Sequence, residues 1–155
     1  MSTRLVTTPC VGICSSGIGD DVCRGCKRFA HEVIEWNSYT EAQREVVVDR
    51  LDTFLAQIVA SKVAVVDAAL VRSALLEAGR KADEDKSTLL WVHALLSALP
   101  EVVDRQSEFG FRVHAKYVGL TAGELLSRIN DEFFALSKAH FERYIAPGIR
   151  AREQF

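Results

Sequence analysis

Four residues stand out for the chemistry they could support: Cys10, Cys14, Cys23 and Cys26, which are all the cysteines of the chain. Their spacing is Cys-x3-Cys, eight intervening residues, then Cys-x2-Cys, so four soft sulfur donors fall within seventeen residues. A loop of that length can close around one metal ion or cluster. Four thiolates suit tetrahedral Zn2+ in a closed structural site, and equally a two-iron or four-iron cluster; the spacing alone does not choose. Closed zinc coordination leaves no position for a catalytic water and implies scaffolding. A cluster would permit electron transfer or redox sensing. Gly12, Gly17, Gly19 and Gly25 would allow turns that aim amides at sulfur, and Arg24, Lys27 and Arg28 would offset the negative charge of four thiolates. Cys23 and Cys26 are expected at a helix start, where the positive end of the dipole favours thiolate, and with their thioredoxin-like spacing a third reading is a thiol-redox pair. No βαβ pattern precedes them, and that reading leaves Cys10 and Cys14 without a purpose.

The order of residues around these cysteines carries a resemblance. Pro9-Cys10-x3-Cys14 is followed by Cys23-x-Gly25-Cys26-x-Arg28, then by Glu32 and Trp36, then by a helix from Thr40 to Leu51 with Glu41, Arg44 and Arg50. The stretch from Thr8 to Leu51 resembles the small bacterial family of domain of unknown function 1289, whose members are often labelled predicted iron–sulfur proteins. The resemblance implies a four-cysteine metal centre and leaves the metal open. Phe29 stands where members usually have threonine, which removes a helix-capping hydroxyl, and Val33 stands where they usually have isoleucine. The chain beyond this stretch carries no resemblance.

Helices must position the cysteine loop. Glu32 to Trp36 reads as a short helix with Val33 and Trp36 on one side, and Asn37 and Ser38 end it. Thr40-Glu41-Ala42-Gln43 is a capping box opening a long helix, with a break expected near Ser61. Lys62 to Leu76 contains Val63, Val65 and Val66, yet its length and alanine content read as helix, closed by Gly79. The polar connection Ala82 to Lys86 marks a seam. Ser87 or Thr88 caps a helix to Leu99, and Pro100 begins another segment. From Gly110, Phe111, Val113, Ala115 and Tyr117 alternate with Arg112, His114 and Lys116. Alternation suggests a strand, but no partner strand is evident and the segment is assigned to helix. Thr121 to Glu124 is a second capping box, opening an amphipathic helix through Phe133 and His140 to Tyr144. Pro147 and Gly148 are expected to stop it, leaving Ile149 to Phe155 as a charged tail.

The chain has 155 residues, 48% hydrophobic and 26% charged, with a formal net charge of -2. That is the composition of a soluble globular protein with its own core. No whole-chain field favours nucleic acid, and Arg24, Lys27 and Arg28 alone support only weak phosphate contact. A nucleic-acid-binding zinc protein is therefore a minor alternative. No apolar run has the length of a membrane span or secretory signal, so a cytoplasmic location and no membrane partner are expected. His31, His93, His114 and His140 are dispersed; only His31 lies near the cysteines in sequence. No P-loop, dinucleotide fingerprint, His-Glu-x-x-His or nucleophile elbow is present, which points away from an enzyme.

The sequence thus describes a mostly α protein: an N-terminal four-cysteine metal-binding loop followed by a helical array or bundle. The expected division is 1–60 as the metal-binding domain and 61–155 as a helical C-terminal region, packed together or separate. The expected role is a metal-binding adaptor or regulatory protein. Cys10, Cys14, Cys23 and Cys26 would hold Zn2+ or an iron–sulfur cluster, and the C-terminal helices would meet a protein partner. The alternative is an iron–sulfur redox or electron-transfer protein.

Overall fold

A computed structural model of the chain describes residues 6–12, 14–16 and 19–153. Gly17 and Phe155, both singled out above, lie outside the described residues. The fold is mostly α, as expected. Helix α1 spans Ala30–Glu35 and runs into a 3-10 turn at Trp36–Ser38; α2 spans Glu41–Ala60, α3 Ala68–Glu77, α4 Thr88–Ala98, α5 Ala122–His140 and α6 Ala146–Glu153. Two short strands, β1 at Val63–Val65 and β2 at Phe111–Val113, pair antiparallel.

Local chemistry sets most of these boundaries. Before α2, the Gln43 side chain accepts the Thr40 N–H at 2.8 Å and Thr40 Oγ1 accepts the Gln43 N–H at 3.2 Å. Thr121 and Glu124 repeat that reciprocal box before α5, at 3.3 and 3.1 Å. Asp67 caps α3 by accepting the N–H groups of Ala69 and Leu70, and Ser87 caps α4 by accepting that of Leu89. Gly79, at φ 76°, closes α3, with the Arg80 N–H returning to the Leu75 carbonyl at 3.0 Å.

The chain forms two compact units, Met1–Phe54 with Phe133–Phe155, and Leu55–Glu132. The boundaries fall inside α2 and α5, and the polar connection at 82–86 lies within the second unit. In that second unit, Val59, Val71, Leu75, Val92, Leu95, Leu96, Leu125 and Ile129 are buried in one apolar core with Val63, Phe111 and Val113 of the strands. Lys62 is fully buried there. Its ammonium pairs with Glu132, lies 4.4 Å from the centre of the Tyr117 ring and is 3.4 Å from the Tyr117 hydroxyl.

Both strands correct the helical reading. Val63 faces Val113 and Val65 faces Phe111, so β1, in the stretch read as helix on its length and alanine content, is the partner strand that the alternating segment from Gly110 was expected to lack. Three residues per strand are too few for alternation to outweigh the alanine-rich helix that follows. The turn before β2 depends on Gly110. Its φ is +82°, its carbonyl accepts the N–H groups of Val66 and Asp67, and an added Cβ would lie 2.3 Å from the Asp67 carbonyl oxygen. Arg112, His114 and Lys116 form no continuous strip, because the strand ends at Val113 and Ala115–Tyr117 turns as a 3-10 helix.

In the first unit, Val22, Phe29, Phe141 and Ala146 form a small buried cluster, with Phe134, Ile145 and Ile149 against it. Here too the C-terminal reading needs correction. Pro147 and Gly148 do not stop the helix. The backbone widens into a π turn at Phe141–Ile145, where the Ala146 N–H reaches the Phe141 carbonyl, and then resumes as α6 through Pro147. The widened turn precedes the position at which proline lacks an N–H, so the helix absorbs the break instead of ending. Among the described residues, no helix is long and apolar enough to cross a membrane.

Candidate metal centre

The second cysteine pair does not open a helix: α1 begins only at Ala30, and Cys23 and Cys26 sit in a tight, closed turn before it. Val22 and Phe29 form an antiparallel bridge, the Cys23 N–H donates to the Arg28 carbonyl at 2.8 Å, and the Ala30 N–H donates to that of Asp21 at 2.8 Å. Inside this frame the Lys27 N–H returns to the Cys23 carbonyl at 2.8 Å. The left-handed residue that completes the turn is Lys27, at φ 65°, and not Gly25. A side chain in that region costs about 1–2 kcal/mol. Lys27 holds it with contacts of its own: Nζ donates to the Gly25 carbonyl at 2.8 Å and lies 5.5 Å from the centre of the Phe133 ring.

The turn sequesters both sulfurs and surrounds them with donors. Cys23 is 1% exposed and Cys26 7%. Burial pushes the Cys23 thiol up. Backbone N–H groups of Cys26, Ser15 and Gly25, joined by the Cys26 side chain, outweigh it and bring the pKa down to about 7. For Cys26 burial prevails and the pKa is raised, although Arg28 works against it through a hydrogen bond from Nε to Sγ at 3.2 Å and through its charge. Amide and guanidinium donors of this kind favour thiolate, the form that binds metal.

Cys10 and Cys14 are placed differently. Both are exposed. The Cys10 N–H donates to Thr8 Oγ1 at 3.3 Å, and Cys14 Sγ lies 3.0 Å from Ser16 Oγ. The backbone beside Cys14 is nevertheless tied to the second pair, since Ser15 Oγ accepts the Arg24 N–H at 2.8 Å and the Ser15 N–H reaches Cys23. Among the described residues, no three or more His, Cys, Asp or Glu side chains are arranged to hold a metal ion. The structure therefore brings together Cys23 and Cys26 and leaves the Cys10 and Cys14 thiols apart from them. The donor set at the buried pair fits a thiolate-bound metal: soft sulfur, N–H groups directed at it, and a nearby cation.

The other residues carrying the resemblance brace this turn. Glu32 Oε1 accepts the Phe29 N–H at 2.8 Å, which is half of a capping box; the other half is absent because Phe29 has no hydroxyl to accept the Glu32 N–H. Trp36 lies beneath two guanidinium groups, with Arg28 at 5.0 Å and Arg44 at 5.6 Å from its ring centre. Arg44 also donates to the Trp36 and Asn37 carbonyls and to Glu41. His31 packs beside Phe29, with ring centres 5.9 Å apart. Asp20 forms an ion pair with Arg24 at 3.2 Å.

Sequence reasoning missed the contribution of the C-terminal segment. Phe133, Phe134 and Phe141 reach the cysteine turn through Lys27, Arg24 and Phe29, the last two at 4.9 and 5.2 Å. Phe133 and Phe134 stand side by side in the amphipathic α5 stretch, but nothing in their local pattern ties them to cysteines more than a hundred residues earlier. Residues 8–55 match the model of a family described as Protein of unknown function (DUF1289). No match to the chain was found among curated proteins or among solved structures. The matched segment leaves out the C-terminal aromatics that complete the unit.

Proposed function

We propose that Cys10, Cys14, Cys23 and Cys26 together hold one metal centre in a cytoplasmic, non-enzymatic adaptor or regulatory protein. The carrying observation is the turn from Cys23 to Arg28, in which two buried sulfurs receive backbone N–H groups and a guanidinium Nε–H. That is an environment made for bound thiolate. Ser15, bonded to the Arg24 N–H and to Cys23, links the Cys14 segment to this turn. A resident Zn2+ would supply a fixed cross-link, while an iron–sulfur cluster would supply one-electron chemistry. The helices of 61–155 would provide the surface that meets a protein partner.

The iron–sulfur alternative draws on the same N–H donors at Cys23 and Cys26. Hydrogen bonds to sulfur are a principal control of cluster potential. Anaerobic purification followed by measurement of zinc, iron and acid-labile sulfide per chain, with a visible spectrum, tests both. Stoichiometric zinc without sulfide rejects the cluster. Iron, sulfide and visible charge-transfer bands reject zinc, and absence of all three rejects the metal centre itself.

A further inference from the structure

Arg28 has a place in this site that its sequence position does not reveal. Of the cations beside the cysteines, Arg24 is a surface group, its side chain 66% exposed and paired with Asp20. Arg28 is only 4% exposed. Among the described residues no carboxylate pairs with its guanidinium; its polar partner is the sulfur of Cys26, at 3.2 Å from Nε, and its flat face lies on Trp36. Arginine is always charged in proteins, and a buried charge without a counter-ion is strongly disfavoured. The fold nevertheless builds this one in. Trp36 holds the guanidinium in position and is itself held from its other contacts by Arg44, whose Nε donates to the Trp36 carbonyl at 3.1 Å.

We infer that Arg28 is the built-in counter-ion of the metal centre, a positioning residue that delivers one positive charge and one hydrogen bond to the Cys26 sulfur. The inference rests on the metal-binding reading above. Four thiolates around a divalent ion carry a net charge of about −2, and a buried guanidinium in contact with one of them removes part of that excess. The burial cost of the arginine and that of the anionic centre are then met by each other. Arg28 thereby sets how tightly the thiolates retain metal and how much electron density their sulfurs carry.

The test uses the full-length, metal-stripped protein titrated anaerobically with Co2+, whose sulfur-to-metal charge-transfer band reports thiolate ligation directly. Arg28→Gln should weaken Co2+ binding by about 10- to 100-fold. It should also move the charge-transfer band to lower energy, because a sulfur that has lost a donor gives up electron density more readily. Arg28→Lys, which keeps the buried charge without the planar fork, should recover part of both effects. Arg24→Gln removes the same charge from the surface and should leave affinity within about threefold, since an exposed, solvated charge contributes little. Wild-type affinity and an unmoved band in Arg28→Gln overturn the inference while leaving the metal site standing. Equal weakening in Arg24→Gln and Arg28→Gln also overturns it, as an effect of net charge alone. If Arg28→Gln loses the wild-type circular-dichroism spectrum, Arg28→Lys decides, and an unchanged band there overturns the assignment. Failure of the wild-type protein to bind Co2+ through thiolates overturns the single-ion form of the metal-binding reading, and this inference with it.

Discussion

Arg50 grips Glu32 with both arms of its guanidinium, Nη1 to Oε2 at 2.7 Å and Nη2 to Oε1 at 2.6 Å, across eighteen positions of sequence. The same carboxylate caps α1 through the Phe29 N–H, and the guanidinium lies 4.0 Å from the centre of the Phe29 ring. One ion pair thus fixes the start of α1, a ring buried beside the cysteine turn, and the face of α2. Both partners are largely out of water, at 7% and 17% side-chain exposure, so removing one strands the other. Glu32→Gln should destabilise the protein by about 3 kcal/mol in urea unfolding followed by circular dichroism. A loss below ~1 kcal/mol, the range of an exposed pair, would show that water reaches Arg50 readily.

Cysteine accessibility gives a second expectation. With Cys10 and Cys14 exposed and Cys23 and Cys26 buried, a brief pulse of iodoacetamide on metal-free protein should label the first pair well before the second. The lowered pKa of Cys23 works in the opposite direction, but a thiolate must be reached before it can react. Peptide mass spectrometry after increasing pulse lengths reads the order. Metal loading should slow all four; continued rapid labelling of Cys10 and Cys14 in loaded protein would remove them from the ligand set.

Gly110 offers a paired comparison in the second unit. Alanine there would meet the Asp67 carbonyl oxygen at 2.3 Å and the Leu70 Cβ at 2.9 Å, whereas at Gly119, with φ of +95°, an added Cβ has nothing within 4 Å. Gly119→Ala should therefore cost only the conformational strain, about 1 kcal/mol. Gly110→Ala adds a backbone clash and should cost about 3 kcal/mol or more. Equal costs in denaturant unfolding would mean that the turn between Gly110 and Val66 relaxes freely.

His140 should make stability depend on pH. Its ring stacks against Phe29 at 6.1 Å and approaches Phe54 and Tyr144 at 5.3 and 4.9 Å. Burial holds its pKa below the ordinary 6.5; the Arg50 charge adds to that, while Glu32 opposes it. The unfolded chain therefore takes up the proton more readily than the folded one. This contribution is complete above about pH 6.5 and is lost as the pH falls toward the lower folded value. Unfolding of wild type and His140→Phe at pH 7.5 and 5.5 checks the sign: the acid loss should be smaller in the variant. An identical loss in both would assign the pH dependence to other groups.

Much of this was readable from residue types, and the exceptions have specific causes. The reciprocal side-chain caps at Thr40 and Thr121 are encoded within four residues, so local pattern suffices to place them. The strands were not legible because each is three residues long and its partner lies nearly fifty positions away, in a segment whose own pattern is ambiguous. Pro147 misled because a π turn upstream changes the register at which a missing N–H matters. The cysteines were evident from spacing, but their inequality was not. It arises from the bridge between Val22 and Phe29 and from aromatic rings more than a hundred residues further on, neither of which leaves a mark on Cys-x2-Cys itself.

The interleaving of the two units has a consequence for how the protein is made. Residues 55–132 are contiguous, so that unit can fold as soon as it has left the ribosome. The cysteines emerge before that unit does, yet their own unit also requires 133–155, which are translated after it. The thiols must wait, without Phe141 to cover Phe29, until residues 133–155 have been made. Metal supplied after translation would meet a formed turn, and metal supplied during it would meet an open thread.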